Sequence, residues 1–153
     1  MRSTDALSSP MVSDLGRRTV WHGVVLFLLA LIGGLFIAAM ANPRMGLSMH
    51  TGTLLNATFL IALGAAWSAL ELSPRAERAA FAILVLSSYG GSLGLLLAAL
   101  LGTRDSTPLH GAALSASAWK EALVMVVLTV NGIAIMVGCV VVLRGLGHRR
   151  GVS

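Results

Sequence analysis

Asn42 to Asn56 reads NPRMGLSMHTGTLLN. Asn42-Pro43-Arg44 marks a turn, because the residue before a proline avoids helical backbone. Beyond it an apolar run continues from about Ser48 to Leu70, and His50 and Asn56 stand at its mouth. Strongly polar groups entering a membrane are costly and need a reason. This stretch is therefore read as the functional helix, and the other apolar segments as the wall around it.

The composition supplies the membrane. The chain of 153 residues is 56% hydrophobic and 11% charged, with a mean hydropathy of +0.86. A soluble domain carries about 25% charged residues. The net charge of +5 does not point to nucleic acid. The basic residues sit in short flanks between apolar runs, with no polar stretch long enough for a phosphate-binding face. The single cysteine, Cys139, excludes an internal disulfide and a multi-cysteine metal site. No segment resembles a cleavable signal peptide.

Four apolar segments reach spanning length, which is about 20 residues for a helix. They run from about Val20 to Ala41, Ser48 to Leu70, Ala79 to Leu101 and Glu121 to Leu143. The pattern predicts an all-α membrane protein, a four-transmembrane-helix bundle. Residues 1–17 read as a disordered tail, 18–147 as the transmembrane domain and 148–153 as a basic tail. Asn42-Pro43 and Ser73-Pro74 close the first two spans. The third connection, from Gly102 to about Ser117, is either a lid or a surface loop.

Positive charge predicts orientation. Arg2, Arg17, Arg18, Arg75, Arg78, Arg144, Arg149 and Arg150 fall on one side, and Arg44, Arg104 and Lys120 on the other. Eight against three places both termini in the cytoplasm of a bacterial cell, with the chain multi-pass in the inner membrane. His50 then enters from the extracytoplasmic side.

Within the spans the polar groups are few. Thr53, Asn56, Leu60, Gly64, Trp67 and Glu71 follow spacings of three and four, the signature of one helix face. His50 lies roughly 120° around from Asn56 on an ideal helix. Neutral imidazole is a good iron ligand, and one histidine suffices for a five-coordinate haem with an open face. The competing reading is an interfacial histidine bonded to water. Asn56 is either an interhelical hydrogen bond or a site residue. The third span carries Ser87-Ser88-Tyr89-Gly90-Gly91-Ser92, either a packing surface or a cavity with Tyr89 as donor. Glu121 complements a helix dipole, and Asn131 bonds across to another helix. His22 reads as interfacial. Met40, Met45 and Met49 read as irregular apolar packing, not as a copper site. Phosphate loops, HExxH, nucleophilic triads and paired intramembrane carboxylates are all missing from the sequence, which argues against hydrolysis.

Asn42 to Trp67 resembles the bacterial hydroxylaminobenzene mutases, and the similarity extends through Leu72-Ser73-Pro74, the small-residue third span and Gly145-Leu146. The His-x-Gly-x-x-x-Asn spacing at His50, Gly52 and Asn56 is also similar to the styrene oxide isomerases, four-helix membrane proteins. That resemblance implies a homotrimer with haem b between subunits, His50 as axial iron ligand and Asn56 near the open face, positioning the substrate. The isomerases also use a tyrosine on the third span. Tyr89 is the only tyrosine, but it falls about two helical turns early, and Leu95 occupies the tyrosine position. This departure favours a mutase converting hydroxylaminobenzene to 2-aminophenol over an epoxide isomerase. In either case the iron would act as a Lewis acid on a small aromatic substrate that partitions into lipid. The rival classes are a non-enzymatic haem protein, for which His22 sits near the wrong membrane face, and a small exporter, for which an embedded carboxylate is missing.

Overall fold

The computed structural model describes residues 13–111 and 114–147. It contains five helices: α1 (Asp14–Gly34), α2 (Pro43–Ala65), α3 (Pro74–Leu101), the single turn α4 (Pro108–Gly111) and α5 (Ala118–Gly147). One-turn 3₁₀ segments follow α1 at Ile37–Ala39 and α2 at Trp67–Ala69. The described residues contain no strand, so the all-α reading holds. Among the described residues three helices are long and apolar enough to cross a membrane: α1, α3 and α5. α2 has the length, at 23 residues. Its apolar content is diluted by Arg44, Ser48, His50, Thr51, Thr53, Asn56 and Thr58.

Capping explains where the helices start. Ser13, Asn42 and Ser73 each accept a hydrogen bond from a backbone N–H three residues on, at Gly16, Met45 and Ala76. Pro43 and Pro74 occupy the first helical turns, where a missing N–H costs nothing. Each helix thus begins several residues before its apolar run. Residues 14–17, assigned by hydropathy to the N-terminal tail, are helical. Residues 1–12 and the tail 148–153 lie outside the described residues. α2 ends at Ala65, so Trp67 and Glu71 do not extend its face. The predicted six-residue stripe stops at Gly64.

The long helices alternate in direction. At one end, Gly16 of α1 lies backbone to backbone against Gly64 of α2; a Cβ on Gly16 would sit 2.8 Å from the Gly64 carbonyl oxygen. Small residues allow such close helix crossings in membranes. At the same end the Glu71 N–H donates to the Gly145 carbonyl at 3.0 Å. At the other end the Asn42 N–H donates to the Ala99 carbonyl at 2.9 Å, and its side-chain Nδ2 donates to the His110 carbonyl at 3.1 Å. α1 packs along α2, α2 along α3 and α3 along α5. The outer face of α5 remains apolar and exposed, with Val126, Val130, Ile133, Met136 and Leu143 all uncovered. Such a face suits lipid.

Two buried clusters fill the interior. Around Trp67 pack Leu26, Leu60, Leu84 and Val142. Around Met45 pack Met40, Met49, Ala98, Ala99 and Val124, so the three methionines serve as core, as their adaptable side chains suit. Trp67 is 1% exposed, and its Nε1–H donates to Glu77 Oε1 at 2.8 Å. Trp67→Ala is expected to cost about 3–5 kcal/mol and to leave the Glu77 carboxylate without its donor. Thermal unfolding in detergent micelles checks this; an unchanged melting temperature would refute it.

Glu121 does more than complement a dipole. Its buried carboxylate accepts from the Arg104 N–H at 2.9 and 3.1 Å and from the Asp105 N–H at 3.0 Å. It clasps the start of the 102–117 connection to α5, while Asn42 holds that connection at His110. Hydrogen bonds to a charged group contribute about 1.5–3 kcal/mol. Glu121→Ala is therefore expected to accelerate amide exchange at Arg104 and Asp105 before exchange in the helices rises. Unchanged protection at those two amides would contradict the clasp.

Candidate functional site

His50 lies in the second turn of α2 and turns toward α1. Its Nδ1 is 2.8 Å from the carbonyl oxygen of Ala30. A carbonyl oxygen only accepts, so Nδ1 carries a proton, and Nε2 is the nitrogen left to act as a ligand. This is the arrangement by which a backbone carbonyl orients a ligating histidine and fixes its tautomer. Room for the ring comes from Gly34. A Cβ there would lie 2.7 Å from Nδ1 and 2.9 Å from Cε1. A glycine is thus needed at position 34, the last residue of α1, for contact with His50. Gly34→Ala should tilt the imidazole off the Ala30 carbonyl and lower activity by roughly tenfold, the equivalent of one neutral hydrogen bond. The protein's melting temperature should change little, and wild-type rates in Gly34→Ala would refute the cradle.

Asn56 faces away from α1, toward α3 and α5. It lines a cavity of about 310 Å³ shared with Gly52, Ser87, Leu95, Leu128 and Asn131. This volume lies at the lower end of small-ligand pockets, which span roughly 300–1,000 Å³. The Asn56 Nδ2 makes a long contact of 3.5 Å with the Ser88 carbonyl. Leu95 reaches from α3 to within contact of Gly52. Asn131 does not bond to another helix, contrary to its sequence reading. Its Nδ2 donates to the carbonyl of Val127 in its own helix at 2.7 Å. This residue was missed as a site residue. Its depth in the last span was the available signal, but only packing shows that it opens onto the Asn56 cavity.

Tyr89 is placed elsewhere. It lines a separate cavity of about 470 Å³ between α1, α2 and α3, together with Met49, Thr53 and Ser92. Its hydroxyl lies 3.4 Å from both the His22 Nδ1 and the His22 carbonyl, and the two rings meet edge to face. The structure therefore does not bring Tyr89 to Asn56. His22, read as interfacial, instead packs between Tyr89, Phe81 and Trp21. It precedes Ala30, the partner of His50, by eight residues, or about 12 Å along the helix. The two histidines do not face each other. Thr53 is 3% exposed, and its hydroxyl has no partner among the described residues.

The polar groups predicted from sequence therefore diverge within one chain. His50 faces α1, Asn56 faces the α3–α5 side, and Tyr89 borders the apolar cavity. Among the described residues no three of His, Cys, Asp or Glu gather as a metal cage. A lone oriented imidazole is the ligand type this chain offers, and it fits a haem iron.

The profile of the styrene oxide isomerase family matches residues 15–147. The chain is 38% identical over 145 residues to hydroxylaminobenzene mutase HabB of Ectopseudomonas oleovorans, covering 94% of this chain and 84% of that protein. It is 42% identical over 80 residues to hydroxylaminobenzene mutase HabA of the same organism, covering 52% of this chain and 59% of that one.

Proposed function

Since the chain belongs to the styrene oxide isomerase family and is an isomerase, we propose that it is a membrane mutase rearranging hydroxylaminobenzene to 2-aminophenol. The observation that carries this choice is the cavity beside Asn56, where Leu95 stands and no phenol does. An epoxide has no hydrogen to donate, and its opening would call on the tyrosine donor that the resemblance implies on the third span. Tyr89, the only tyrosine, is engaged with His22. The two hydroxylaminobenzene mutases among its relatives point the same way.

In this reading α2 is the fourth crossing helix. Its His50, Thr53 and Asn56 face other helices or cavities, and the exposed Thr51 and Thr58 hydroxyls donate to carbonyls of their own helix. Both termini are cytoplasmic, and the chain lies in the bacterial inner membrane. The reaction is an isomerisation: the N–O bond breaks, an oxygen–carbon bond forms at the ring carbon next to the one bearing nitrogen, and as the aromatic ring is restored its displaced proton leaves while the nitrogen takes one up to become the amine. Substrate and product have the same atoms, so no external oxidant or reductant is consumed.

The chain's own residues divide the work. His50, fixed by Ala30 and given room by Gly34, would hold haem b through Nε2, and the iron would supply Lewis-acid chemistry toward the substrate oxygen. Asn56 holds the substrate's polar end. Leu95, Leu128 and Ile135 hold the arene and keep water from competing for the ring. Because His50 and Asn56 diverge within one chain, the site is completed between subunits of a homotrimer, His50 from one and Asn56 from its neighbour.

The test is product analysis. Membranes containing the chain are incubated separately with hydroxylaminobenzene and with styrene oxide. The expected outcome is 2-aminophenol from the first. Phenylacetaldehyde from the second, with no aminophenol from the first, would replace the mutase by an epoxide isomerase.

A further inference from the structure

The polar groups of the 310 Å³ cavity share a property that its shape does not reveal. Ser87 Oγ donates to the Ile83 carbonyl at 2.6 Å. Asn131 Nδ2 donates to the Val127 carbonyl at 2.7 Å. Asn56 Nδ2 points at the Ser88 carbonyl. Each side chain has turned one N–H or O–H to a main-chain carbonyl and keeps its oxygen free to accept, while the two carboxamides also keep a second N–H. The cavity thus offers three acceptor oxygens within an apolar wall.

Asn131 is the least explained of the three. A carboxamide in the middle of the most apolar helix is expensive unless both of its ends are used. Only its N–H end is used: among the described residues nothing donates to Asn131 Oδ1. The neighbouring helix nevertheless makes room for it. A Cβ on Gly90 would collide with the Asn131 carboxamide, so this glycine leaves the space that the amide fills.

We infer that Asn131 contacts the substrate and sets its class, with Oδ1 accepting the N–H of an arylhydroxylamine while Asn56 Oδ1 receives its O–H. This deepens the mutase reading and rests on it. Arylhydroxylamines carry two donors on adjacent atoms, one for each of the two carboxamide oxygens. Epoxides and ketones carry none, and would leave Asn131 Oδ1 without a donor. A site built to bond a polar hydrogen discriminates strongly against analogues that lack it.

The experiment pairs a change in the chain with a change in the substrate. Full-length protein in membranes is assayed with hydroxylaminobenzene and with its N-methyl analogue, in which the donor is replaced by CH₃. The wild type is expected to favour the N–H substrate in kcat/KM by roughly ten- to a hundredfold. Asn131→Leu should lose that factor on the N–H substrate, keep its rate on the N-methyl analogue, and so abolish the preference. Gly90→Ala, which crowds the amide from the opposite helix, should weaken the preference in the same direction. A merely structural Asn131 would lower both substrates together, and that result overturns the inference. Equal kcat/KM for the two substrates in the wild type overturns it without any variant, should Asn131→Leu fail to fold. Absence of rearranged product from the wild type with either substrate overturns the mutase reading itself, an outcome distinct from the other two.

Discussion

His50→Ala abolishes formation of 2-aminophenol and removes the Soret band of protein purified from haem-supplemented cells. This is the largest effect expected of any single substitution. Alanine takes away the only nitrogen that the Ala30 carbonyl and the Gly34 gap are arranged to present. The fold should survive, because the ring is half-exposed and its single hydrogen bond contributes only about 1 kcal/mol. Absorbance and thermal unfolding measured on one preparation separate the two effects. A variant that melts like wild type, has no Soret band and forms no product matches the assignment. Retention of both band and activity refutes it. Imidazole added to the variant is a useful complement, since an exogenous ligand should restore part of the band where the cavity left by the side chain admits it.

Asn56→Leu is the second large effect, and it should look different. The carboxamide does not reach the nitrogen that would hold iron, so the absorption band should remain. Catalysis should fall by roughly ten- to a hundredfold, because a hydrogen bond to the reacting end of the substrate is lost, about 1.5–3 kcal/mol if the group carries charge in the transition state. Steady-state rates beside the spectrum make the distinction. Loss of the band in Asn56→Leu would mean that the residue supports the fold or the haem pocket and not the substrate. Leucine is the appropriate replacement. It keeps the volume of the side chain beside Leu95 and Leu128 without leaving a hole in the cavity wall.

Much of the architecture was legible from residue order alone. Composition and span length announced a membrane protein of helices. The capping residues Ser13, Asn42 and Ser73, with prolines after two of them, mark helix starts that hydropathy misses by several residues. Hydropathy reports which residues avoid water, whereas a helix starts where its first N–H groups find an acceptor. α2 shows the same limit in reverse. Its polar residues dilute its apolar content, although at 23 residues it is long enough to span.

The site was legible in part. His50 and Asn56 stood out because polar groups are rare in such a chain. Their 120° separation was computable, but not which neighbour each would meet. Tyr89 attracted notice as the only phenol, and its engagement with His22, 67 residues away, had no local signature. Asn131 was noticed and assigned the commonest role of a membrane asparagine. That its amide would turn to Val127 and leave Oδ1 free depends on the gap at Gly90, a contact between α3 and α5.

By itself, then, the sequence determined the helices, their order and the rare groups able to do chemistry. These follow from burial, capping and turn chemistry, all of which act over a few residues. Only the tertiary structure decided that His50 meets the Ala30 carbonyl, that Asn56 and Asn131 open onto one cavity and that Tyr89 opens onto another. Such pairings depend on which faces of separate helices come into contact. Glycines at positions 34 and 90 permit two of them by leaving out a single carbon atom.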